Sequence, residues 1–144
     1  MRRLAPLAEH PFELVLGLVA LLSGLALTAG AGPPASINAT LPHLVVLAWG
    51  GIQVLAGTLI IVGILIRYMR PARLIVGFRL ERAGLWPLAA AATVYGIAAL
   101  GYAGPPALYP VGTLLAVAAA CAARAAAVSR LERTIRKHTQ GEPD

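Results

Sequence analysis

Four long apolar runs, at residues 12–30, 44–66, 85–103 and 107–127, order this chain, and the charged positions gather between and around them. Each run matches the ~20 residues, at 1.5 Å rise, that a helix needs to cross the hydrocarbon core. Only closed backbone hydrogen bonding is stable there, so each run is predicted to be a helix. The pattern predicts an all-α integral membrane four-helix bundle, a single membrane domain over 1–144 with a basic tail at 128–144. Arg2 and Arg3, then Arg67, Arg70, Arg73, Arg79 and Arg82, then Arg124, Arg130, Arg133, Arg136 and Lys137 fall at the N-terminus, the middle loop and the tail. The loops 31–43 and 104–106 carry no Lys, Arg, Asp or Glu. By the positive-inside rule both termini and the middle loop are expected to be cytoplasmic, in a bacterial cytoplasmic membrane.

The two uncharged loops share the string Ala-Gly-Pro-Pro-Ala, at Ala31–Ala35 and Ala103–Ala107, an offset of 72 residues in a chain of 144. At that offset Glu9 matches Glu81, Leu16 matches Leu88 and Gly24 matches Gly96. The expectation is two tandem helical hairpins forming a parallel internal repeat. Gly32 and Gly104 are expected to free the backbone before Pro33-Pro34 and Pro105-Pro106, which cannot continue a helix. Asn38-Ala39-Thr40 is formally a glycosylation acceptor, unused in a bacterial setting.

Within the runs, Ala20, Gly24, Gly50, Gly57 and Gly63 are small residues spaced to let backbones approach. They are candidates for helix packing within the chain or for an oligomer face. Gln53 is the one amide in a run and Tyr95 the one mid-run tyrosine; both need partners inside the bundle. Trp49, Tyr102 and Tyr109 are placed as anchors at one interface, and Phe12, Tyr68 and Trp86 at the other. Arg124 is expected to snorkel to headgroups, and Glu13 to lie in a hydrated interface. On that reading no carboxylate lies at depth, which disfavours ion-coupled transport.

Composition narrows the function classes. With 58% hydrophobic residues and mean hydropathy +0.76, there is no room for a soluble module beside the bundle. The net charge of +6 therefore orients helices and attracts anionic headgroups of the lipid bilayer, and no nucleic-acid partner is expected. Eleven arginines against one lysine, among so much Ala, Gly and Pro, reads as GC-rich coding of actinobacterial type. The first run, preceded by Arg2-Arg3, has signal-peptide features, but its length and the span directly behind it favour retention. The lone Cys121 reads as a small buried hydrophobe. His10, His43 and His138 are assigned to the inside, the outside and the tail, so no two are expected to ligate one metal across the bundle, and no triad, phosphate loop or Cys-x-x-Cys is present. No catalytic residue, cofactor or metal site is expected.

Val128, Leu131 and Ile135 fall at helical spacing among Arg130, Arg133, Arg136 and Lys137, so the fourth helix is expected to continue as a basic amphipathic stretch that frays at Gly141. Those four cations are candidates for binding the membrane surface or a partner. Leu74, Ile75, Val76 and Phe78 are expected to lie in the interface, with Pro71 and Gly77 limiting any helix. With the Glu9-His10-Pro11-Phe12-Glu13 approach to the first span, Glu81-Arg82-Ala83-Gly84 before the third, and the basic tail, the whole chain resembles small four-span membrane proteins of actinobacterial phages and prophages, some holin-like. The resemblance implies lysis-related permeabilisation by a homo-oligomer and carries over no site residue. The rival expectation is a membrane scaffold or accessory subunit binding a partner through its basic loop and tail.

Overall fold

The computed structural model describes residues 11–32 and 42–140, without the side chains of 71 and 136–140. It consists of α1 (Pro11–Thr28), α2 (His43–Met69), α3 (Leu74–Ala103) and α4 (Leu108–Gln140), with short 3-10 turns at Pro71–Arg73 and Pro105–Ala107. All four helices are long and apolar enough to cross a membrane, with mean hydropathies of 1.9, 2.2, 1.5 and 1.8 over their best windows. The protein is therefore an all-helical membrane bundle. Its arginine-rich side is called the basic end below, and the opposite side the turn end.

Two boundaries differ from the sequence expectation. The third helix starts at Leu74, so Leu74, Ile75, Val76 and Phe78 belong to α3 and the middle loop shrinks to Arg70–Arg73. Gly77 does not weaken this helix: a Cβ there would lie 2.7 Å from the Gly63 carbonyl oxygen, and its absence lets α2 and α3 touch. At the turn end of α1, Gly30 (φ 88°) rather than Gly32 takes the left-handed conformation. The Ala31 N–H donates to the Ala26 carbonyl at 2.9 Å and the Gly30 N–H to Leu27 at 3.4 Å, the paired bonds of a Schellman cap. Gly104 (φ 63°) reverses the chain between α3 and α4 as its sequence position implies.

Consecutive helices pack along their lengths, α1 on α2, α2 on α3 and α3 on α4, whereas α1 and α4 share no extended contact. Glycines make these seams close. A Cβ on Gly24 would sit 2.6 Å from the Gly50 carbonyl oxygen, and one on Gly57 2.7 Å from the Leu21 amide nitrogen. Gly84 meets α2 in the same way, 3.1 Å from the Ile60 amide nitrogen. Without hydrophobic contrast between helix and lipid, such backbone approach is a main source of helix association. Ala56, Ile60, Ile64, Leu85, Cys121 and Ala125 form the fully buried centre.

Candidate functional site

Each helix sends one charged side chain into the basic end of the bundle. Glu81 of α3 is wholly buried; Arg67 of α2 approaches its Oε2 through Nη2 at 3.0 Å. Arg124 of α4 donates from Nε to Glu81 Oε1 at 2.9 Å, and the same nitrogen lies 3.0 Å from Oε1 of Glu13 on α1. Side-chain exposures are 0% for Glu81, 7% for Arg67, 12% for Glu13 and 27% for Arg124, so the cluster is internal. The Arg67–Glu81 contact is an ion pair without hydrogen-bond alignment, and Arg67 Nε has no hydrogen-bond partner among the described residues. Its guanidinium instead lies 4.8 Å from the centre of the Phe78 ring, a cation–π contact.

The quartet adds what the sequence expectation lacks: Arg124 is paired with two carboxylates, and Glu81 is buried and Glu13 mostly buried against other helices. The cause is the early start of α3, which places Glu81 about two turns inside the helix. Among the described residues the cluster sets two carboxylates against two guanidiniums. It joins all four helices where burial makes an unpaired charge costly.

A second cluster pins the projecting part of α4 to α3. Arg79 Nε donates to Glu132 Oε1 at 2.9 Å, Arg82 Nη1 lies 3.4 Å from Glu132 Oε2, and Arg82 also donates to Ser129 Oγ at 3.3 Å. Arg130 and Arg133 remain exposed on the other faces, and Arg136 and Lys137 are in the helix, with side chains outside those described.

Toward the turn end lies an open cavity of about 480 Å³, walled by Leu16 and Val19 of α1, Leu88 of α3 and Val117 of α4. Gln53 and Tyr95 both line it, as do Ser23 and Trp49. Trp49 does not serve as an outward anchor: its ring packs edge-on against Tyr95, with centroids 5.4 Å apart, and its Nε1 is buried without a hydrogen-bond partner among the described residues. Tyr102, Tyr109, Phe12 and Trp86 are exposed, and Tyr68 packs on the core. Of the small residues singled out in the sequence, Ala20, Gly24, Gly50, Gly57 and Gly63 are all buried at seams within the chain. The Ala20 signal was a 3.6-residue stripe; the quartet had no local signal, because its members lie far apart in sequence.

Among the described residues no three of His, Cys, Asp and Glu come together to hold a metal ion. No protein-family model matches the chain, and no curated protein or solved structure matches it significantly.

Proposed function

We propose that the chain is a self-associating, non-enzymatic protein of the bacterial cytoplasmic membrane, with the basic end and both termini cytoplasmic. The orientation rests on the positive-inside rule, since the Arg70–Arg73 turn and the α4 projection share one end. The observation that carries self-association is on α4. Gly112, Ala116, Ala119, Ala123 and Ala126 are all exposed and recur at alternating steps of four and three, one continuous outward stripe. A Cβ at Gly112 would touch nothing in the chain. The outward face of α1, by contrast, carries Val15, Leu18, Leu22 and Leu25. A small-residue stripe of this period suits a second copy packed through the same face about a two-fold axis. The glycines inside the bundle are already engaged and offer no such face.

The test is oxidative crosslinking in membranes of Ala119→Cys in a Cys121→Ala background. A disulfide dimer is expected, and Ala116→Leu with Ala123→Leu abolishes it; equal crosslinking from Leu18→Cys on α1 overturns the reading. The holin-like, phage-type reading goes further and has the assembly permeabilise the membrane. Small size, four spans and a basic helical tail support it. A potential-sensitive dye in expressing cells then shows abrupt, delayed depolarisation, lost in the double-leucine variant. A flat trace at high abundance instead favours a scaffold that binds a partner through Arg130 and Arg133. We also read the halves as a parallel repeat, on the shared Ala-Gly-Pro-Pro-Ala turn; their seams have diverged, since a Cβ on Gly96 would find its nearest neighbour at 3.7 Å.

A further inference from the structure

We propose that the cavity near the turn end binds a neutral, membrane-dissolved molecule with a flat carbonyl-bearing head and an apolar tail, the chemistry of an isoprenoid quinone. Its volume of about 480 Å³ falls in the ~300–1,000 Å³ range of ligand sites, and mainly apolar walls with a few convergent polar groups are the usual design of such sites.

Those polar groups define the occupant. Ser23, Gln53 and Tyr95 line the cavity, and their side-chain polar groups have no hydrogen-bond partner among the described residues; Trp49 also lines it, with its Nε1 buried and turned away from any occupant. An amide left unpaired in a membrane span costs several kcal/mol. Three such groups around one cavity can each donate a hydrogen bond, and a carbonyl oxygen is the acceptor that an otherwise apolar molecule can bring. The Trp49–Tyr95 pair adds an aromatic wall suited to a conjugated ring.

Depth separates this occupant from a phospholipid. Gln53 lies about 15 Å along α2 from His43, and Tyr95 about 12 Å along α3 from Ala103. The headgroups and ester carbonyls of the bilayer sit near those helix ends, so the polar group that meets Gln53 must be small, neutral and at home in hydrocarbon. Among the described residues no charged side chain lines the cavity, which disfavours a fatty-acid anion. The way in is lateral. α1 and α4 both line the cavity, share no extended packing, and are joined across the bundle at the basic end by Glu13 and Arg124. Lipid-dissolved molecules reach the site between them without passing through water.

The experiment uses the full chain in phosphatidylethanolamine/phosphatidylglycerol nanodiscs titrated with decylubiquinone. Trp86→Phe leaves Trp49 as the sole tryptophan, and Trp49→Phe leaves the exposed Trp86 as a control. Quenching of Trp49 is expected to saturate, whereas that of Trp86 rises linearly with quinone in the membrane. Gln53→Leu should weaken the saturable phase by about tenfold, and 1-decanol, which has a tail but no carbonyl, should not compete. Linear quenching at Trp49, equal displacement by decanol, or unchanged affinity in Gln53→Leu would each overturn the proposal. The Trp49 and Trp86 comparison stands even where the leucine variant does not fold, and the outcome is independent of self-association.

Discussion

Neutralising one residue, Glu81, should cost this bundle more than any other charge change. The carboxylate has no exposure, and both Arg67 and Arg124 depend on it. Glu81→Gln keeps the shape and leaves Arg67, itself 7% exposed, without its ion-pair partner. Breaking a buried pair on one side costs about 3–5 kcal/mol, because the surviving charge stays desolvated. The retained amide offers Arg124 an acceptor, which puts the expectation near the lower limit, about 3 kcal/mol, or ~100-fold in the folding equilibrium. Arg124 also keeps Glu13, so the stranded cation is Arg67. Removing it should therefore rescue: Glu81→Met combined with Arg67→Met replaces the pair by apolar chains of similar length and should recover most of the loss. Glu13→Gln leaves Arg124 its bond to Glu81 and should cost only about 1 kcal/mol. The assay is reversible unfolding in mixed micelles by titrated dodecyl sulfate, followed by tryptophan fluorescence. Losses within about 0.5 kcal/mol for Glu81→Gln, or strictly additive effects of the two methionine changes, would refute the reasoning.

The remaining predictions concern the seams and the projection. Gly57→Ala puts a Cβ 2.7 Å from the Leu21 amide nitrogen and should destabilise by about 1–3 kcal/mol in the same titration, whereas Gly51→Ala meets nothing and should be neutral or gain up to about 1 kcal/mol from helix propensity. Glu132→Gln releases Arg79 and Arg82; because Arg79 is half exposed the loss is about 1 kcal/mol, read as roughly fivefold faster amide exchange over residues 129–140 with the core unchanged. Fusing a periplasm-active reporter to the C-terminus should give no signal and a cytoplasm-active one full signal, and the reverse would invert the orientation.

Hydropathy made the helices legible, and local chemistry made their ends at the turn side legible, because both properties are carried by neighbouring residues. Span limits drawn from nearly charge-free windows stop short at the basic end, at α2, which runs on to Met69, and most of all at α3, which starts at Leu74. A window that begins after Arg82 treats every charge before it as loop, which leaves Glu81 before the third span although it lies inside α3. The charges that mark span ends in a sequence are also the ones that can pair once helices overrun the bilayer. Arg67, Glu81 and Arg124 each look like a boundary taken singly, and only the bundle shows that they meet. The same limit applies to the small residues. Ala20, Gly24, Gly50, Gly57 and Gly63 stand out by their spacing, yet spacing does not say which face points inward. That needs the partner helix: Gly24 is closed by Gly50, and Gly112, equally small, faces outward with nothing on it. Gln53 and Tyr95 stand out in the sequence as polar groups in need of partners; the fold packs the Tyr95 ring on Trp49 of the neighbouring helix, and both Gln53 and Tyr95 line one cavity. A polar side chain conspicuous at depth therefore marks a place where the bundle is incomplete by itself, and what completes it has to be sought among molecules that dissolve in the membrane.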